Sequence, residues 1–282
     1  MTASPGLGAI EGSLSGSVDD GGTPVPLDDG GCAGAHEKAD KRGARRRRVA
    51  RQALAGGVLE TLVGDDESSR AIEALVAELQ LEDVRFLARG QRGVVLSATH
   101  AGGNIVIKRR RADKAGDADE AAWLRNCNAF GVGPALLAAR DGAFAMERIQ
   151  GVAVGEFLES ALDGADVRRV VRSALDQCFA LDGAGIEKRE MQRPLRHLIV
   201  SAERCVFLDF ERCRFVAKPR NVTQFCQYLA SAWVLQQLRR LGVHVDVKAL
   251  REATKAYKTD PANPTFQDIL QALGIEPPPA ET

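Results

Sequence analysis

Residues 205–212 read Cys205-Val206-Phe207-Leu208-Asp209-Phe210-Glu211-Arg212, and the aspartate inside this run is what has to be explained. Val206, Phe207 and Leu208 form a short β-type apolar run. A carboxylate closing such a run is costly unless a cation or a backbone donor meets it, although a turn aspartate after a strand is the plainer explanation. Upstream lies a second β-type run, Leu198 to Val200, preceded by His197. If the two runs pair as a hairpin, His197 and Asp209 fall at the same end of it. Before them comes Gly185-Ile186-Glu187-Lys188-Arg189-Glu190-Met191 and then Pro194.

Working outward toward the N-terminus, four β-type runs appear: Val84 to Ala88, Val94 to Thr99, Ile105 to Lys108 and Phe144 to Ile149. Turns at Gly102-Gly103 and Asp141-Gly142 punctuate them. One helix, about residues 117 to 130, interrupts the series. Another precedes it, with Ile72, Leu75, Val76 and Leu79 on one stripe and Ser68 or Ser69 as cap, and it is expected to pack on the back of the sheet. The turn inside Leu87-Ala88-Arg89-Gly90-Gln91-Arg92-Gly93-Val94-Val95 carries glycines at 90 and 93, which let a backbone approach a triphosphate closely or simply make a β-turn. Lys108 closes an apolar strand, so its ammonium either meets an anion or sits on an exposed edge. Glu120 on the inserted helix could hold it, or could be a surface glutamate. Met146-Glu147-Arg148-Ile149-Gln150-Gly151 ends a strand at a glycine, as a hinge would.

Past Gly151 the apolar period changes from 2 to 3.6. Helices are expected over residues 166–181, 222–241, 247–257 and 265–273. The fold class that follows is α+β: a small antiparallel sheet with one helix, then a mainly helical part. The organisation that follows is a disordered tail over 1–55, a sheet-bearing part over 56–150, a helical part over 151–275 and a closing tail over 276–282. The first tail is rich in Gly, Ser, Pro and Asp and ends in a basic run, Lys38–Arg51. That run reads as a solvated linker ahead of a nuclear-import or nucleic-acid patch, and nucleic acid would be met only there.

Composition narrows the classes further. Apolar residues make up 45% of the chain, so a packed core is expected. Lys+Arg and Asp+Glu both total 38, which argues against a nucleic-acid coat or a membrane-surface protein. The six cysteines form no C-x-x-C pair and several sit in apolar stretches, which favours a reducing, cytoplasmic compartment, or a nuclear one if the basic run is a signal. No apolar run reaches membrane-span length, and none has the form of a secretory signal.

In this order and spacing the segments resemble the protein-kinase-like superfamily, over roughly Ala71 to Leu241. The Ala88–Val95 loop is similar to the kinase G-x-G-x-x-G-x-V, with Ala88 for the first glycine. The resemblance implies a two-lobed fold with ATP and Mg²⁺ in the cleft. It implies that Gly90, Gly93 and Val95 cover the nucleotide, that Lys108, held by Glu120, contacts its phosphates, and that Met146 and Glu147 end the hinge strand. It also implies that Asp209 binds the metal, with His197 near the second ligand position, and that Glu190 is the base. Lys188-Arg189-Glu190 stands for H-R-D, Glu211 replaces the glycine of D-F-G, and no A-P-E follows.

These departures resemble the compact atypical kinases near the RIO kinases and the kinase of the KEOPS complex. They resemble still more a group of predicted serine/threonine kinases of archaea, in which a Glu-containing loop, a Pro, a His and Asp-Phe-Glu-Arg recur. Glu190, Pro194, His197 and Asp209 to Arg212 reproduce that set, and Asn221-Val222-Thr223-Gln224-Phe225 extends it. The implied reaction is phosphoryl transfer from ATP to a Ser/Thr hydroxyl of a protein substrate. The substitutions at the base and second metal position leave an inactive ATP-binding switch or scaffold as an alternative. The missing A-P-E leaves a small-molecule kinase. Neutral imidazole is a poor ligand for a hard ion, so His197 could instead accept a hydrogen bond, contact a phosphate or shape the loop.

Overall fold

The computed structural model describes residues 66–89, 93–110, 119–202 and 204–275. The expected tails (1–55, with the basic run, and 276–282) and Gly90 lie outside the described residues. Helix α1 (Asp66–Leu79) opens the fold with Ile72, Leu75 and Val76 fully buried. It begins at Asp66, so Ser68 and Ser69 sit within its first turn rather than capping it.

Five strands follow: β1 (Glu82–Arg89), β2 (Gly93–His100), β3 (Gly103–Arg110), β4 (Leu136–Arg140) and β5 (Ala143–Glu147). They form one antiparallel sheet in the order β1-β2-β3-β5-β4. Strand parity sorts its two faces. Val94, Leu96 and Ala98 of β2, Ile105 and Ile107 of β3, and Ala143 and Ala145 of β5 pack with α1. Each fully buried Leu or Ile here contributes about 1.5–3 kcal/mol. The opposite face carries Val95, Lys108 and Phe144 in one cross-strand row and Ser97, Val106 and Met146 in the next. Phe144 belongs to a second apolar cluster, shared with Ala121 and Leu124 of α2 (Glu120–Asn128) and with the helices that follow. Asp119 caps α2, accepting from the Ala121 N–H at 3.0 Å, so this helix begins at Glu120 rather than near 117.

The second half holds β6 (Val152–Ala153), α3 (Val154–Ser160), α4 (Gly164–Gly183), β7 (Ile186–Lys188) and a 3₁₀ turn at Pro194–Arg196. Then come β8 (Leu198–Val200), β9 (Cys205–Phe207), β10 (Cys213–Phe215), α5 (Asn221–Leu229), α6 (Ala232–Arg240), α7 (Val247–Thr259) and α8 (Asn263–Ala272). The single helix expected over 222–241 is two. Ser231 is extended, at φ −69° and ψ 147°, and starts α6 anew. The short strands make two small sheets, β6-β8-β9 and β7-β10. Gly151 passes so close to β8 that a Cβ there would collide with the Val200 carbonyl, which explains the glycine at the junction between the two halves. The described residues are thus α+β, and no helix among them is long and apolar enough to cross a membrane.

Candidate functional site

Lys108 stands on the α2-facing side of the sheet because Val106 and Lys108 alternate with the buried Ile105 and Ile107. Its ammonium lies 2.8 Å from Glu120 Oε1 and 2.6 Å from Oε2. Glu120 is the first residue of α2, so its carboxylate also sits at the positive end of the helix dipole.

The β8 and β9 runs do pair as a hairpin, Leu198 opposite Phe207, and the Leu208 N–H donates to the His197 carbonyl at 2.6 Å. His197 and Asp209 therefore emerge at the same end. His197 Nδ1 lies 3.6 Å from Asp209 Oδ2, and its Nε2 lies 3.8 Å from Glu190 Oε2. Arg212 closes the row with an ion pair to Glu190. Glu190 and Asp209 both hold left-handed backbone, at φ 74° and 66°. For residues other than glycine this costs of order 1 kcal/mol or more each, and such strain concentrates at working sites. Asp209 Oδ1 is buried without a hydrogen-bond partner.

Carboxylate oxygens of Glu120, Asp209 and Glu211 lie within 4.8 Å of one another. An all-oxygen set of this kind, with one buried oxygen unmet by any donor, fits a hard cation such as Mg²⁺. His197 stands outside that group and faces the two carboxylates through its ring nitrogens. Phe210, only 1% exposed, anchors the segment between the two acids. Gly133, at φ 92°, makes room for it: a Cβ there would come within 2.7 Å of the Phe210 ring and 2.9 Å of Leu124.

No protein-family model and no curated protein matches this chain. Below the surface row lies a buried polar layer that the motifs did not announce. Lys188 is 3% exposed, with its ammonium 5.8 Å and 5.2 Å from the ring centres of Phe207 and Phe210. Burial pushes its pKa down, against the pull of Cys213, Asp209 and Glu190. Glu187, with 2% of its side chain exposed, accepts from Arg214 and Arg220. Burial opposes its ionisation, but the two guanidiniums together outweigh that and hold its carboxyl below the usual range. Asp182 accepts from the backbone N–H groups of Asn221 and Val222, the Asn221 side chain and the Tyr257 hydroxyl. Burial still pushes its pKa up despite these donors. Asn221 in turn accepts from the Lys188 N–H at 2.8 Å and donates to the Ile186 carbonyl at 2.6 Å. The strand leading to Glu190 is thereby clamped to α4 and α5.

The other expected residues are distributed as follows. Gly93 opens β2, and Val95 lies directly across from Lys108 on its face. Met146 is half-buried on that same face. Glu147 alternates with Met146, and its carboxylate is taken by the Ala135 N–H and by Arg204. So Glu147 ties β5 to its surroundings and does not join the Lys108 row. The sequence reading assigned no role to Glu211, Arg212, Glu187 or Asp182. The glutamate in place of glycine after Asp-Phe was the available signal for Glu211.

Proposed function

We propose that this chain is a compact protein-kinase-like phosphotransferase that binds ATP and Mg²⁺ between the five-stranded sheet and the β8–β9 hairpin and phosphorylates a Ser/Thr hydroxyl of a protein. One observation supports this most: the Lys108–Glu120 pair, the Asp209 carboxylate and, through His197, Glu190 converge from four separate chain segments. Phosphoryl transfer needs positioning and charge neutralisation above all, and this set supplies both.

Lys108 would meet the α/β-phosphates while Glu120 fixes its direction. Val95 from the Lys108 row, with Val106 and Met146 from the next, offers apolar surface on the same face for the base of the nucleotide. Asp209, with Glu211 beside it, would hold the metal, and bound Mg²⁺ supplies charge neutralisation at the phosphate oxygens. Glu190 would take the proton of the acceptor hydroxyl as that oxygen bonds to the γ-phosphorus and the bond to the β–γ bridging oxygen breaks, releasing ADP. Arg212, ion-paired to Glu190, directs its carboxylate.

The test is a thermal-shift titration of the full chain with ATP and Mg²⁺, followed by transfer of labelled γ-phosphate by the wild type and by Glu190→Ala. Metal-dependent stabilisation with transfer lost in Glu190→Ala supports the proposal. No stabilisation by Mg-ATP overturns it. A second reading, a non-catalytic ATP-binding switch, is favoured by the ion pair that already engages Glu190 through Arg212. Stabilisation by Mg-ATP without any transfer would select that reading.

A further inference from the structure

Between Glu190 and His197 the chain reads Met191-Gln192-Arg193-Pro194-Leu195-Arg196. Met191 and Pro194 are buried and pin the loop from below. Arg189, Gln192, Arg193, Leu195 and Arg196 face outward. The Arg193 N–H donates to the Glu190 carbonyl at 3.0 Å, a tight turn that keeps Arg193 beside Glu190. The His197 N–H donates to the Pro194 carbonyl at 2.9 Å, closing the 3₁₀ turn that carries Arg196 immediately before His197.

The neighbouring arginines are neutralised: Arg204 by Glu147, Arg212 by Glu190, and Arg214 and Arg220 by Glu187. Arg189, Arg193 and Arg196 have no such partner among the described residues. Three like charges on one short loop repel one another, and guanidinium is built to grip carboxylate or phosphate at two points.

We infer that the acceptor is an acidic protein segment, a Ser or Thr flanked by Asp, Glu or phosphorylated residues, gripped by Arg189, Arg193 and Arg196. This rests on the reading of Glu190 as the group facing the acceptor. The nucleotide's own phosphates are served by Lys108, on the sheet. The three arginines belong instead to the Glu190 side, where the acceptor enters. A nucleic acid fits less well. The loop presents no aromatic ring on which a base could stack, and exposed Phe215 packs on Trp123 with ring centres 4.9 Å apart. A continuous phosphate backbone would also meet the carboxylates of Glu190, Asp209 and Glu211, whereas a hydroxyl with flanking acids need not.

The test measures binding directly and needs no turnover. Fluorescence anisotropy on the full chain compares a Ser-centred peptide flanked by Glu, the same peptide flanked by Gln or by Lys, and a single-stranded RNA of equal charge. The Glu-flanked peptide should bind about tenfold or more tighter than the Gln-flanked one, the ratio expected of paired charge contacts. Arg193→Glu/Arg196→Glu should lose that preference and favour the Lys-flanked peptide. Arg193→Gln/Arg196→Gln, a milder change, should abolish the preference without reversing it. Equal binding of Glu and Gln peptides, an unchanged preference in the variants, or tighter binding of the RNA each overturns the inference. The Mg-ATP thermal shift is read in parallel. If it is absent while the acidic preference holds, the nucleotide reading falls and the acidic-segment site stands.

Discussion

Lys108 and Glu120 are joined at two points, with the ammonium 2.8 Å and 2.6 Å from the two carboxylate oxygens, and the pair fastens β3 to the first turn of α2. Their side chains are 27% and 13% exposed, so the pair is largely shielded. Lys108→Ala would leave Glu120 facing Asp209 and Glu211 without its cation, costing about 1–3 kcal/mol. The expected result is a lower melting temperature with the Mg-ATP shift abolished. Lys108→Ala/Glu120→Ala should regain most of the lost stability, since the orphaned charge is gone, and still show no shift. An Mg-ATP shift persisting in either variant would remove Lys108 from the nucleotide site.

Asp209 combines a left-handed backbone, φ 66°, with a buried oxygen that no donor meets. Both features cost stability, so Asp209→Gly should raise the melting temperature by relieving about 1 kcal/mol of backbone strain. Asp209→Asn tolerates the same backbone and should leave the fold nearly unchanged. Both variants should lose Mg²⁺-dependent ATP binding. Calorimetry with and without Mg²⁺ separates these effects, and retention of metal-dependent binding in both would reduce Asp-Phe-Glu to a turn.

The sheet was readable because β2 and β3 are short runs rich in β-branched residues, Val94-Val95 and Ile105-Val106-Ile107, parted by the Gly102-Gly103 turn. Strand β4, Leu136–Arg140, escaped notice because Leu-Leu-Ala-Ala-Arg has neither alternation nor β-branched residues; its pairing with β5 makes it a strand. β6, β7 and β10 are two or three residues long and exist only through partners far along the chain. The break at Ser231 has no Gly or Pro to mark it, and the apolar period runs through it. At the site, Lys108, Glu120, Glu190, His197 and Asp209 were nameable from motif order. Their partners were not, because Arg212 reaching Glu190 and Asn221 reaching Lys188 depend on where distant segments meet.

Lys188 offers a pH test. Burial lowers its folded-state pKa from 10.5, so the protonated form costs folding energy relative to the unfolded chain. The sign follows. As pH rises from the lowered value toward 10.5, the unfolded state holds the proton more often than the folded one, and stability rises. Lys188→Met puts an uncharged side chain of similar length beside Phe207 and Phe210 in place of the titrating ammonium. Denaturant melts across the alkaline range should therefore show the variant more stable than wild type near neutrality, with the gap narrowing as pH rises. A gap constant with pH would mean that Lys188 titrates alike in both states.

Asn221 links the buried polar layer to the strand that carries Glu190, and it can be separated from general stability. Its side chain accepts the Lys188 N–H, donates to the Ile186 carbonyl and donates to Asp182. Asn221→Ala leaves the first two groups buried without a partner, for a loss of about 2–4 kcal/mol. Tyr257→Phe removes one of the four donors to Asp182, at 3.2 Å, and should cost only about 1 kcal/mol. Hydrogen exchange distinguishes a local clamp from a distributed one. In Asn221→Ala the Lys188 amide should lose protection well beyond the global change, because its acceptor is gone, while the core of α4 around Ala174 and Leu175 falls only by the global amount. In Tyr257→Phe the Lys188 amide should follow the global change alone. If acceptor phosphorylation is measured in parallel, Asn221→Ala should lower kcat more than the ATP affinity, since Glu190 is displaced while the Lys108–Glu120 pair between β3 and α2 is untouched. Equal loss of protection at Lys188 and in α4 would make Asn221 a staple of the whole helical half, with no particular hold on Glu190.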